Sequence, residues 1–260
     1  MVRKFLEKRS TKQISFVHRK EYVDGIYLGD HWITISEECD DVPMSKPEYV
    51  RTNKTEVKRK PDRGSYDRET VHSILDEGLV AHVGIVQDET PLVIPMAYGR
   101  VEERLYLHGS AASRLLRDAR DLDVCVTVTL LDGLVLARSL INHSMNYRSV
   151  VIFGKAKQVT DVGEKSAALE AVTEHIISGR VADTRKNSAK EIKSTLVLSV
   201  PINEVSAKIR FGPPNDYEED MELDVWAGVI PIGVAIGAPE PDEISGDLMA
   251  VPDYVKKWRR

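Results

Sequence analysis

The residues best placed for chemistry lie in Leu105-Tyr-Leu-His-Gly-Ser-Ala-Ala-Ser-Arg-Leu-Leu116. A β-prone run ends at His108, Gly109 frees the backbone, and Ser110 stands where a helix over 110–121 needs a cap. The unpaired N–H groups and partial positive charge of a helix start attract phosphate. Ser113 adds a hydroxyl there, and Arg114 adds a charged fork that matches phosphate geometry. The same pattern equally fits a plain strand-to-helix turn in which Ser110 only caps. A second stretch is Val93-Ile-Pro-Met-Ala-Tyr-Gly99. Pro95 has no N–H, which places the strand at an edge or opening. There Ile94, Pro95, Met96, Ala97 and Tyr98 either offer free backbone groups to a heterocycle or form an edge strand and nothing more. In a third, Asn142-His-Ser-Met-Asn-Tyr-Arg-Ser-Val-Val-Ile-Phe-Gly154, polar Tyr147, Arg148 and Ser149 run into an apolar strand. Such a pattern suits a binding mouth or a solvated loop. In a fourth, Val225-Trp-Ala-Gly-Val-Ile-Pro231, Trp226 suits either the face of an aromatic ligand or the core.

His108, His143 and His175 are isolated histidines, and no Ser–His–Asp or metal-ligand spacing accompanies them. A Walker loop and a dinucleotide fingerprint are both missing, which argues against ATP and Rossmann-type NAD. Each of the four stretches therefore keeps a plain structural reading beside its binding one, and none supplies a protein nucleophile.

The elements that must position them are mostly strands. Residues 67–76 have helical spacing, with Val71, Ile74 and Leu75 on one face and Gly78 as the stop. Short β-rich runs follow at 79–86, 91–101, 104–108, 124–130, 134–138 and 147–159, with turn signals at 87–89 and at Asp132-Gly133. A third helix is expected over 163–177 from its apolar stripe, and two more strands over 195–201 and 205–211. This order predicts a mainly β fold with a few helices, a Greek-key-like antiparallel barrel rather than βαβ units. Residues 1–63 read as an N-terminal extension, with a hairpin around Gly29-Asp30 and a solvated linker over 52–63. The expected barrel domain spans 64–235, and residues 236–260 form a tail.

Composition narrows the function classes. The 260 residues are 42% hydrophobic and 30% charged, as in ordinary globular proteins. A net charge of −5 argues against a dedicated nucleic-acid binder. Cys39 and Cys125 make no disulfide framework, which favours a reducing compartment. The apolar run 225–236 is too short to span a bilayer, and the N-terminus lacks the apolar core of a secretory signal. A cytoplasmic protein acting on a small molecule is expected.

Taken in order, these stretches resemble the pyridoxamine 5′-phosphate oxidase-like FMN-binding split barrels, in particular the branch of nitroimidazole reductase-like flavoproteins. The resemblance runs from Tyr66 to Pro231. It is carried by the 105–114 motif, by Val124-Cys-Val-Thr-Val-Thr129 with Asp132-Gly-Leu-Val-Leu-Ala137, and by His143-Ser-Met-Asn-Tyr-Arg-Ser-Val150. It implies a split β-barrel homodimer with FMN at the subunit interface. Ser113 and Arg114 then match the phosphate anchor, and His108, Gly109 and Ser110 the adjoining strand end. Ile94 to Tyr98 match the strand beside the isoalloxazine, Tyr147, Arg148 and Ser149 a strand reaching the cofactor, and Trp226 a tryptophan from the other subunit. Two features depart from the true oxidases: Leu115 replaces a second basic residue, and the C-terminal Arg-His type motif is missing. The implied activity is FMN-dependent oxidoreduction of a small electron-poor or quinone-like acceptor, with His108 or Tyr98 assisting proton transfer. The alternatives are a pyridoxamine 5′-phosphate oxidase and a non-catalytic flavin- or haem-binding module, with His108 or His143 as haem ligand.

Overall fold

Alternation of apolar and polar residues dominates the chain from Ala81 to Arg210, and the backbone follows it. The computed structural model describes residues 26–28, 31–33, 48–246 and 249–259. Residues 1–45 and 46–260 form two separate units. In the first, β1 (Ile26–Leu28) and β2 (His31–Ile33) pair antiparallel with Ile26 opposite Ile33, so the expected hairpin is present. Its turn, Gly29-Asp30, lies outside the described residues.

The second unit runs β3 (Gly64–Ser65), α1 (Arg68–Glu77), β4 (Ala81–Gln87), β5 (Thr90–Met96), β6 (Tyr98–Val101), β7 (Arg104–Ser110), α2 (Arg114–Asp118) and β8 (Asp123–Leu136). It continues with β9 (Ser144–Lys155), β10 (Lys157–Gln158), α3 (Val162–Ile176), α4 (Arg180–Asp183), α5 (Ala189–Ser194), β11 (Thr195–Pro201), β12 (Glu204–Arg210), β13 (Gly228–Pro231) and α6 (Asp253–Lys256). Every ladder is antiparallel. The larger sheet has the order β3-β12-β9-β8-β4-β5, with β13 added on the distal half of β8; the smaller is β10-β11-β7-β6. The inward faces of both sheets and one face of α1 share a single core, including Val83, Leu105, Val126, Ile152 and Leu198. The helix α3 covers the other face of the smaller sheet, where Tyr106, Val159, Ala168 and Val197 pack together. It approaches so closely that a Cβ on Gly99 would lie 2.7 Å from the Val172 nitrogen. Among the described residues no helix is long and apolar enough to cross a membrane.

Three expectations need correction. Asp132-Gly133 is no turn: β8 runs through it as one strand, and the ladder with β9 absorbs a bulge between Leu131 and Gly133. The bulge changes the phase of burial. Val124, Val126 and Val128 point inward before it, while Gly133, Val135 and Ala137 are buried after it. The helix expected over 110–121 shrinks to α2, because β7 continues pairing with β11 as far as Ser110 opposite Thr195. The Ser110 hydroxyl accepts the Ala112 N–H at 3.1 Å, so it stabilises a turn and does not cap the helix. The expected solvated linker is seated on the barrel. Tyr66 is buried and donates its hydroxyl to the Thr55 carbonyl at 3.0 Å, and the buried Tyr49 donates to Glu103 at 2.6 Å.

Candidate functional site

Between β5 and β6 the chain turns at Ala97 from the edge of one sheet to the edge of the other. One side of β5 has no strand partner among the described residues, and Pro95 removes one of the N–H groups that would otherwise need one. The pairing of Tyr98 with Leu107 carries Ala97 to the level of His108 at the end of β7. The end of β5 and the end of β7 therefore lie at one corner. The turn 110–113 closes it, with the Ser113 N–H donating to the Ser110 carbonyl at 2.8 Å, and Arg114 opens α2.

His108 is the chemically unusual residue here. Its Nδ1 is buried and has no hydrogen-bond partner among the described residues. A buried polar atom left in this way is normally satisfied by a bound group or water. Burial alone pushes the imidazole below its ordinary value, so the ring is neutral at pH 7 and one nitrogen can accept a proton. Gly109 has its own steric reason: a Cβ there would meet Leu116 at 2.7 Å. The corner thus has an open strand edge, an unsatisfied imidazole and a hydroxyl-bearing turn. Such groups can bond the polar atoms of a bound small molecule.

Tyr98 has a different role from the one its position suggested. It is wholly buried in the core, and its hydroxyl donates toward the Leu75 carbonyl at 2.5 Å and the Gly78 carbonyl at 3.0 Å. A group with those partners cannot serve substrate, so the expectation of proton transfer by Tyr98 is withdrawn. Tyr147, Arg148 and Ser149 lie at the corner's level of the larger sheet but three strands away, about 14 Å at ordinary strand spacing. Trp226 is 66% exposed, beyond the far end of β8 from that corner, where its ring packs against Gly228. One chain does not bring these four to the corner.

Arg148 instead anchors a second feature that the sequence did not reveal. Its guanidinium forks onto Glu77, with Nη2 at 2.8 Å, and onto Asp132, with Nε at 3.0 Å and Nη2 at 2.8 Å. The hydrogen bonds to Glu77, then those to Asp132, hold it firmly in its charged form. Beside this triad is a cavity of about 530 Å³, lined by Leu79, Val80, His82, Leu131, Ile232 and Trp258 among others. His82 is exposed into it and makes no hydrogen bond among the described residues. Three other histidines are committed: His175 Nε2 lies 2.7 Å from the Gly78 carbonyl, His143 Nδ1 2.9 Å from the Ser139 carbonyl, and His72 Nε2 2.9 Å from the Tyr49 hydroxyl. Alternation along β4 could have shown that His82 points outward, but nothing local announced that residues 232–234 and 258 would roof it.

Residues 67–209 match the family described as pyridoxamine 5′-phosphate oxidase. Among solved structures, the chain is similar to a flavocytochrome, Anf3 from Azotobacter vinelandii, at 42% identity. That match covers 82% of this chain and 99% of the other, with a TM-score of 0.77. It is also similar to an FAD- and haem-binding protein from Mycobacterium smegmatis, at 35% identity over 74% of this chain and 95% of the other, with a TM-score of 0.71. A putative 5-nitroimidazole antibiotic resistance protein from Bacteroides thetaiotaomicron matches at 27% identity over 56% of this chain and 86% of the other, with a TM-score of 0.47. No curated protein matches the chain.

Proposed function

The chain belongs to the pyridoxamine 5′-phosphate oxidase-like split-barrel family, and from that premise we propose that it is a flavin-dependent oxidoreductase working as a homodimer. The observation that carries the proposal is the unsatisfied, neutral His108 nitrogen at the corner where the open edge of β5 meets the end of β7. A bound flavin supplies hydride or single-electron chemistry. The protein's part is to bind, orient and shield. The edge of β5 offers backbone groups, the turn 110–113 with Arg114 takes the phosphate, and His108 accepts or returns a proton at a small electron-poor or quinone-like acceptor. The sequence resemblance points to FMN, while the Mycobacterium smegmatis relative is one that binds FAD.

The homodimer is supported by the outward face of the larger sheet. Val86 and Val93 are exposed there beside Gly84, Cys125 and Phe153, around an apolar hollow of about 570 Å³. An open apolar sheet face of this kind is normally covered. A partner would also bring Tyr147, Arg148, Ser149 and Trp226 within reach of a corner that a single chain leaves incomplete.

A second reading has its own observation. His82 stands unpartnered in a largely apolar cavity, which suits an axial ligand to haem better than either His108 or His143. Two relatives over most of their length are a flavocytochrome and an FAD- and haem-binding protein. The proposal is then flavin at the corner and haem at the cavity, with electrons passing between them.

The test is the visible spectrum of the purified protein, with mass identification of what denaturation releases. Flavin bands with FMN or FAD released support the oxidoreductase. An additional Soret band that His82→Ala abolishes supports the haem reading. A colourless protein that takes up neither FMN nor FAD would overturn the proposal. Oxygen-dependent formation of pyridoxal phosphate would reassign the activity to pyridoxamine phosphate oxidation, which Leu115 disfavours.

A further inference from the structure

The stretch from Asp216 to Asp224 is acidic and apolar at once, reading Asp-Tyr-Glu-Glu-Asp-Met-Glu-Leu-Asp. Tyr217, Met221 and Leu223 are exposed along it, and Glu218, Glu219 and Glu222 are exposed between them. It is held in place. Asp216 accepts from the Arg138 N–H at 2.9 Å and from its guanidinium at 2.8 Å, and a short helical turn spans Glu218–Asp220. Among the described residues no ion pair neutralises Glu218, Glu219 or Glu222.

A basic run with the opposite character sits at the other side of β12. Lys58, Arg59 and Lys60 are exposed, and the Arg59 carbonyl is fixed by Lys208 Nζ of β12 at 3.2 Å. Among the described residues Arg59 and Lys60 have no ion pair, and Lys58 has only Glu56 at 3.8 Å. The acidic run follows the end of the same strand after the five residues 211–215. Two runs of opposite charge are therefore tied to one strand, each fixed in place and, among the described residues, with little or no neutralising charge from its own chain. A surface carrying adjacent runs of opposite sign is self-complementary under a two-fold axis, since each run meets its opposite on the other copy. β12 is also a strand of the sheet whose outward face is proposed above as the dimer face.

We propose that the occupant of the acidic strip is a second copy of this chain. The Asp216–Asp224 strip of one copy docks on the Lys58–Lys60 run of the other, twice per dimer, and so fixes the dimer's orientation. This contact rests on the homodimer proposed above. Like-charge juxtaposition at an interface costs several kcal/mol, whereas matched runs steer the two copies into register.

The test uses two full-length variants and their mixture, followed by sedimentation velocity at moderate salt. E218K/E219K/E222K alone places basic against basic, and K58E/R59E/K60E alone places acidic against acidic. Each alone should dimerise at least about a hundredfold more weakly than the unaltered chain. Mixed in equal amounts they should form a heterodimer, because both contacts then pair opposite charges. Native mass spectrometry identifies that heterodimer by mass. Circular dichroism checks that each variant is folded, and rising salt should weaken the unaltered dimer. If both variants dimerise as tightly as the unaltered chain while Val93→Asp on the sheet face gives monomers, the charged contact is wrong and the homodimer stands. An unaltered chain that sediments as a monomer overturns both. Both variants becoming monomeric with no heterodimer on mixing would also overturn the pairing.

Discussion

At the His108 corner every group comes from two stretches of chain, 94–98 and 108–114, which the β6–β7 ladder brings side by side. The cavity around His82 draws on five stretches, at 77–82, 129–132, 148, 232–234 and 258. The corner is polar and backbone-rich, with an imidazole held neutral by burial. The cavity is apolar, with its charges already paired in the Glu77–Arg148–Asp132 triad. The difference teaches that a site built from neighbouring strands leaves a motif, whereas one roofed by distant segments leaves almost none. Tyr98 ties the two together, because it starts β6 at the corner and bonds the Gly78 carbonyl at the cavity wall.

The comparison is broken most sharply at His108. His108→Ala should lower turnover about 10²- to 10⁴-fold while flavin content, read from the visible spectrum, stays as in the unaltered protein. Unchanged turnover would remove His108 from the chemistry and leave the corner as a binding site only. Gly99→Val should push α3 off the smaller sheet and cost about 1–3 kcal/mol in urea unfolding, since the new Cβ meets backbone at 2.7 Å. Flavin affinity should fall more than haem affinity if the corner and the cavity are separate sites. Tyr98→Phe removes the bond between them and should cost about 1–2 kcal/mol with turnover little changed. A large loss of turnover in a variant that is still folded would return Tyr98 to the mechanism. Arg148→Met leaves Glu77 and Asp132 facing each other across the cavity wall. Because all three groups are partly exposed, the loss should be only about 1 kcal/mol.

The smallest effect expected is in acid. His108 and His72 both titrate below the ordinary histidine value, chiefly through burial, and for His72 also through Arg100. The fold therefore favours their neutral forms. As pH falls below about 6.5 the unfolded chain takes up these protons first, so stability is complete above that pH and declines toward the depressed folded values. Denaturant midpoints at pH 7.5 and pH 5 should show this decline, and His108→Leu should reduce it. An equal decline in that variant would place the sensitivity elsewhere.

Much of the fold was legible because amphipathic patterns are local. The strand over 195–201 has the expected ends, and α1 and α3 begin and stop within about a residue of them. The errors have physical causes. Asp132-Gly133 has turn chemistry, but the paired strand is long enough to absorb it as a bulge. Ser110 has cap chemistry, but the ladder with Thr195 takes its backbone first. The basic run 52–63 looked solvated because its anchors, Tyr49, Thr55 and Tyr66, are spread too thinly to give a period. Tyr98 looked like a site residue because nothing in a motif shows that a hydroxyl is spent on two carbonyls. Arg148 was expected near a cofactor, yet within its own chain it is occupied by two carboxylates from distant segments.

The bulge in β8 has a consequence for how the gene can vary. Because the inward-facing parity changes across Leu131–Gly133, one residue there is surplus to the alternation. Losing it would join the two halves of β8 as one regular strand, with Val135 and Ala137 still inward. Losing one residue from 134–136 instead would shift the end of β8 by one place and put its pairing with β13 out of register. A single-residue deletion scan read by soluble expression should therefore dip at 134–136 and recover at 131–133. The bulge is where this strand can give up length without turning its core face outward.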